Sequence, residues 1–167
     1  MPAKIRHRQH AVKSNPLPPR TVQGNALSVL VVQIMQLNGL LLDAGDALAA
    51  PAGQTSARWQ ILAAVEDAPR SVADIARSMN LARQSVQRIA DLLVEDGLGS
   101  YEENPAHVRA KLLCLTASGC RTLARIQAAQ ARWANELAAE LDLEQLRVAS
   151  DLLDRLKLRL RTVRGGA

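Results

Sequence analysis

The sequence predicts a mainly α-helical chain carrying one β-hairpin, and three observations predict it. First, 48% of the 167 residues are apolar but only 2% are aromatic: Trp59, Trp133 and Tyr101, with no Phe. A core of Leu, Val, Ile and Ala favours packed helices over an aromatic-rich β-sandwich. Second, apolar residues recur at helical spacing through most of the chain. Third, two short strand-like runs flank an Asn-Pro turn at Asn104-Pro105. The length suits one domain with one core and is too short for two ordinary enzyme domains.

Residues 1–20 hold Pro2, Pro16, Pro18 and Pro19 among polar and basic residues and read as a flexible arm. From about 24 to 49, Leu27, Leu30, Ile34, Leu37, Leu41 and Leu48 predict a helix that Pro51-Ala52-Gly53 ends. Gln33, Gln36, Asn38, Asp43 and Asp46 interrupt its apolar run, so a membrane span is not expected. A second helix is predicted from Ser56 to Asp67, burying Trp59 and Leu62, with Pro69 as its stop. Ser71 then stands three residues before Asp74, a capping-box-like start, and Val72, Ile75, Ala76 and Met79 repeat at helical spacing. After a break at Asn80-Leu81, Val86, Ile89, Ala90 and Leu93 give a further helix, closed by Gly97 as a C-cap glycine. Two helices so closely joined form a helix-turn-helix. Residues 98–103 and 110–115 form a two-stranded hairpin. A long helix follows, from Thr116 as N-cap to about Leu141. A last one starts at Asp142, with Leu146, Leu153, Leu156 and Leu160 along one side.

A helix, a helix-turn-helix and then a hairpin is the winged-helix order. On the second helix of the pair, the apolar residues cluster on one side, leaving Gln84, Gln87, Arg88 and Asp91 outward with Arg83 and Ser85 at the N-terminal end. That end of a recognition helix reaches base edges. Glutamine suits adenine, arginine suits guanine, and serine or a helix N-terminus suits phosphate. The hairpin carries His107 and Arg109 at its tip, a form able to lay a cation in the minor groove. Ser71 and Lys111 complete the expected DNA-facing set. The competing reading is a solvated face in which Arg88 pairs with Asp91 one turn on.

The net charge of +5 sits in the arm: Lys4, Arg6, Arg8, Lys13 and Arg20 stand without an acid, while the rest of the chain balances at 16 basic and 16 acidic residues. The arm is therefore the expected source of long-range attraction to DNA. Enzyme chemistry is disfavoured: the three histidines are two in the arm and His107, and no Gly-rich phosphate loop occurs, so neither a catalytic residue nor a cofactor is expected. Two cysteines, Cys114 and Cys120, build no disulfide scaffold and lack a histidine in ligand spacing, so no metal site is expected. Cys120, in the first turn of a helix, leaves a redox-sensing regulator open as an alternative. So does the balanced charge of 55–120 for a winged-helix adaptor that does not bind DNA.

These motifs, taken in order, resemble the MarR-type transcriptional regulators. Thr55-Ser-Ala-Arg-Trp-Gln-Ile-Leu62 is similar to the opening of their second helix, and Ser71-Val-Ala-Asp-Ile-Ala76 to their supporting helix. Ser85 to Leu98, with its Gly-Leu exit, resembles their recognition helix, and Arg109 to Gly119 their wing strand and the Leu-Thr-x-x-Gly entry to the next helix. The resemblance runs from about residue 25 to 162. It departs where the family's wing has Asp two residues before its arginine, since His107 stands there, and where Leu92 replaces a common second arginine.

The first residues are basic but lack the apolar stretch of a secretory signal, which makes a cytoplasmic protein the expectation. The resemblance implies a homodimeric regulator, a repressor, in which residues 21–54 and 117–163 form an all-helical dimerisation layer around a winged-helix region at 55–116. Leu30, Leu153, Leu156 and Leu160 are the expected interface, and exposed apolar stripes on a lone chain argue the same way. The DNA partner would be a palindromic operator, two recognition helices spanning about one turn. The resemblance also implies release by a small aromatic or phenolic organic anion, with Arg58 and Trp59 as a cation and an apolar wall; core packing is the other reading of Trp59.

Overall fold

The computed structural model describes residues 18–105, 107 and 109–164, with Arg164 as backbone only, so most of the basic arm lies outside the described residues. The chain divides into two units, 1–40 and 41–167.

Within the first unit, residues 18–20 are exposed coil and helix α1 (Val22–Ala49) begins, with Thr21 Oγ1 accepting the Gly24 N–H at 3.0 Å. The helix exposes Leu27, Val29, Val32, Met35, Leu37 and Leu40, and Leu30 is half-buried. By length and composition alone, residues 22–52 would suffice to cross a membrane, with mean hydropathy 1.6.

In the second unit the rest of α1 runs into a 3-10 turn at Ala50–Ala52, and Gly53 turns the chain in the left-handed conformation at φ 70°. Asp46 Oδ1 accepts the Ser56 N–H at 2.6 Å, tying this end of α1 to α2 (Ser56–Ala64). Helix α2 stops three residues before the expected Asp67, because Val65 is drawn into the core and breaks the helical hydrogen bonding. Helices α3 (Val72–Met79) and α4 (Arg83–Glu95) form the expected pair. Ser71 Oγ caps α3 by accepting the Asp74 N–H at 3.2 Å and donates to Asp74 Oδ2 at 2.7 Å. That hydroxyl and Arg77 hold the Asp74 carboxyl below the usual range.

The expected hairpin is present as β2 (Gly99–Glu102) and β3 (Leu112–Leu115), antiparallel with Tyr101 opposite Leu113. A third strand, β1 (Arg70–Ser71), pairs with the other edge of β3, giving the order β1-β3-β2. A strand of two residues carries no periodicity and so leaves no mark in the sequence pattern. Helix α5 (Ala117–Ala138) starts at Thr116, whose Oγ1 accepts the Gly119 N–H at 3.1 Å. It ends three residues short of Leu141. Helix α6 (Leu143–Arg164) starts after Asp142, which accepts the Gln145 N–H at 2.9 Å.

The core is aliphatic, as the composition requires. Ile61, Leu62, Ile75, Val86, Leu93, Leu113 and Leu123 are at most 1% exposed, and Trp59, Ile89 and Tyr101 pack at its edge. Burial of Val86, Ala90 and Leu93 on α4 fixes which side of that helix is left to solvent.

Candidate nucleic-acid interface

The outward side of α4 follows from its buried side. Arg83, Gln84, Ser85 and Arg88 are exposed and Gln87 is half-buried. The residue before the helix, Ala82, provides no side-chain cap. The first N–H groups of α4 therefore have no intrahelical acceptor and meet solvent with the positive end of the helix dipole, an arrangement that suits phosphate.

The wing brings further cations to the same place. Arg83 and Gln87 of α4, Tyr101 of β2, Arg109 and Lys111 before β3, and Ser71 enclose a cleft of about 250 Å³. A shallower hollow on the other flank of α4 is lined by Arg83, Gln84, Gln87, Arg88 and Asp91. All eight expected DNA-facing residues except Ser85 thus line one of two clefts that meet at Arg83 and Gln87, and Ser85 is exposed on the same helix. Ser71 differs from the expectation in kind. Its side chain is buried and its hydroxyl is spent on Asp74, so it shapes the cleft wall and has no lone contact to offer phosphate.

Gln87 also differs. Its Nε2 donates to Asp91 Oδ1 and to the Tyr101 hydroxyl, both at 2.8 Å, while that hydroxyl donates to Asp91 Oδ1 at 2.7 Å. A carboxylate only accepts, so it fixes which end of the amide faces it and leaves the carbonyl oxygen turned away. Burial first, then Asp91, pushes the Tyr101 hydroxyl up to about 12, and it stays a donor at neutral pH. Tyr101 was not anticipated. Its signal was weak: the chain's one tyrosine, on the strand following the recognition helix.

This triangle bears on Arg88. The ion pairs among the described residues are Arg58–Asp96, Arg77–Asp74, Arg147–Glu144 and Lys157–Asp154. Asp91 is engaged by Gln87 and Tyr101, and Arg88 is left with its guanidinium in solvent. The pairing that would have made Arg88 structural is not formed.

Arg58 and Trp59 part company. Arg58 donates through Nε to Gln54 Oε1 at 2.7 Å and through its other end to Asp96, clipping α2 to the end of α4. It does not line the cleft with Trp59. Trp59 instead lines, together with Trp133, a cavity of about 450 Å³ formed by the end of α1, α2 and α5.

Cys114 is buried, and burial, followed by the nearby Glu102 carboxylate, pushes its thiol up to about 11. At neutral pH it is an inert thiol. Cys120 is exposed at the start of α5. No group of three or more His, Cys, Asp or Glu able to hold a metal occurs among the described residues.

Comparison with known proteins gives the same picture. The profile of the MarR family matches residues 52–110. The uncharacterised protein Rv2011c of Mycobacterium tuberculosis is 38% identical over 135 residues, covering 81% of this chain and 94% of that protein. Two solved structures share the fold. A MarR mutant of E. coli complexed with operator DNA superposes with a TM-score of 0.71 at 20% identity, covering 79% of this chain and 96% of that one. Staphylococcus aureus MarR in complex with salicylate and kanamycin gives 0.72 at 14% identity, with 82% and 93% covered.

Proposed function

Because the chain belongs to the MarR family of winged-helix transcription regulators, we propose that it is a cytoplasmic homodimeric repressor that reads palindromic operator DNA and lets go when a small aromatic effector binds. The family is one of regulators and not of enzymes. The observation that carries the DNA reading is the unpaired, exposed Arg88 in the hollow on one flank of α4, with Arg83 shared between that hollow and the cleft that Arg109 and Lys111 line on the other flank. Cations on both flanks of a helix whose first N–H groups are open are what a phosphate backbone and a groove floor require. Two DNA-bound or ligand-bound neighbours of the same fold support the assignment.

The dimer reading rests on α6 and on the first part of α1. On α6, Leu153 is 43% exposed and Leu160 66%, with Leu156 half-buried between them. A second copy of the chain would cover such a face, and a two-fold pair would present two copies of α4 to two half-sites. The effector reading rests on the cavity between Trp59 and Trp133, set where α2 meets α5. A ligand wedged there changes how the winged helix sits on the helices around it.

Arg88→Ala and Gln84→Ala are each expected to weaken operator binding by about 1–3 kcal/mol and to relax preference at one base pair per half-site, without loss of folded dimer. Mobility shifts on a selected duplex, with thermal melts alongside, check this. Lower stability at unchanged affinity would make Arg88 a structural residue.

Long-range attraction is assigned to the arm, since the rest of the chain is balanced in charge. Each cation that displaces a phosphate counterion adds about 0.9 to the slope of log affinity against log salt. Deleting residues 1–20 is expected to lower that slope by several units per dimer and leave the preferred sequence unchanged. Parallel salt titrations of full-length and truncated protein test it, and equal slopes would remove the arm from DNA binding.

A further inference from the structure

The cavity between α2 and α5 has a chemistry of its own. Its walls hold both tryptophans of the chain, Trp59 and Trp133, together with Gln60, Gln127, Gln130 and the buried Ser56, and none of its lining residues ionises. At about 450 Å³ it suits a ligand of two fused rings. Two indoles supply flat apolar walls for such rings.

The polar groups point to acceptor character. Gln60 Nε2 donates to Ser56 Oγ at 3.3 Å, and Gln127 Nε2 donates to Glu66 Oε2 at 2.7 Å. Both amides have turned nitrogen toward the protein and keep their carbonyl oxygens for something else. The Gln130 side chain has no hydrogen-bond partner among the described residues, so its amide is unspent at both ends. Two carboxylates stand behind these walls: Glu66 on Gln127, and Asp46 accepting the Ser56 N–H at 2.6 Å. Arg58, the neighbouring cation, is held by Gln54 and Asp96.

An anionic ligand would meet no cation in these walls and would face amide oxygens with carboxylates behind them, which disfavours it. A cationic ligand would find no carboxylate in the walls to pair with, since neither Glu66 nor Asp46 lines the cavity. We propose that the effector cavity takes an uncharged two-ring aromatic molecule bearing an N–H or O–H donor beside an acceptor, in contrast to the aromatic or phenolic anion implied by the family resemblance. The donor goes to the carbonyl oxygens of Gln60 or Gln127, and the Gln130 amide takes up the acceptor. This rests on the effector reading only in sharing its cavity.

Because both tryptophans line the cavity, intrinsic fluorescence reports occupancy directly and without DNA. The test titrates full-length protein with 2-naphthamide, 2-naphthoate and 2-naphthylmethylammonium, one ring system in three charge states. The amide is expected to quench the emission saturably, with at least tenfold tighter binding than either ion. Gln130→Leu, a change outside the core, should weaken the amide at least tenfold while leaving the melting temperature and DNA affinity in place. Equal or tighter binding of the carboxylate or the ammonium overturns the proposal, as does no quench by the amide up to millimolar concentration. A parallel mobility shift with and without the amide separates the two readings: saturable quenching without DNA release keeps the ligand class and removes the effector role.

Discussion

Replacing Gly119 by alanine is expected to cost the protein about 3–5 kcal/mol of stability, a loss at the upper end for a single methyl group. Helix propensity alone gives the opposite sign, since alanine in a helix is favoured over glycine by about 1 kcal/mol. Packing decides. A Cβ on Gly119 would lie 2.0 Å from the Leu98 carbonyl oxygen and 3.3 Å from Leu115 Cδ2. The carbonyl cannot step aside cheaply. It accepts the Thr116 N–H at 3.1 Å, while the Leu98 N–H donates to Leu93 O at 2.8 Å and the Leu98 side chain is in the core. Thr116 is held in turn, donating from its hydroxyl to Gly97 O at 2.7 Å and capping α5 at Gly119 itself. One methyl group therefore pushes apart the exit of α4, the start of β2 and the start of α5. A thermal melt followed by helical circular dichroism should show a midpoint lowered by about 10 °C or more. A midpoint at or above the parent's would mean that α5 starts elsewhere.

Leu153→Asp is expected to give a folded monomer that no longer binds operator DNA. Leu153 adds nothing to the core of its own chain, so the winged helix should survive the change. Across a dimer seam the carboxylate must be desolvated or protonated, at several kcal/mol and twice per two-fold interface. Loss of the second recognition helix then removes half of the base and phosphate contacts at once. Sedimentation of the variant at micromolar concentration checks the first part, and a mobility shift the second. A variant that still sediments as a dimer would move the seam off this face of α6.

The elements that the sequence made legible are those set by local chemistry. Ser71 with Asp74, Thr116 with Gly119 and Asp142 with Gln145 cap helices through bonds only three residues long, and the structure contains each. Gly97 closes α4 at φ 70° because the left-handed turn there admits glycine without a Cβ penalty. The periodic burial of α3 and α4 likewise follows from residues within one helix. What escaped the sequence depends on residues far apart in the chain. Strand β1 exists because Arg70 and Ser71 meet Leu113 and Leu112. Arg58 was expected to face a ligand and is held by Asp96, 38 positions away. Gln87 is turned by Tyr101, which only the hairpin's register brings alongside α4. The cavity collects glutamines from α2 and α5, and nothing local marks Gln60, Gln127 and Gln130 as neighbours. Arg83, Gln84, Ser85 and Arg88 were legible for the opposite reason, since the outward face of a helix is fixed by its inward one.

On the function proposed above, the outward face of α4, presented twice by a two-fold dimer, reads DNA. Selection of duplexes from a random-sequence pool by the full-length protein, at moderate salt, tests it most directly. Enrichment of an inverted repeat whose half-site centres lie about one helical turn apart is expected, with loss of that enrichment under Arg88→Ala at defined positions of each half-site. A pool that stays unenriched, with no duplex retained even at low salt, would contradict it and leave the chain a winged-helix protein whose partners are not DNA.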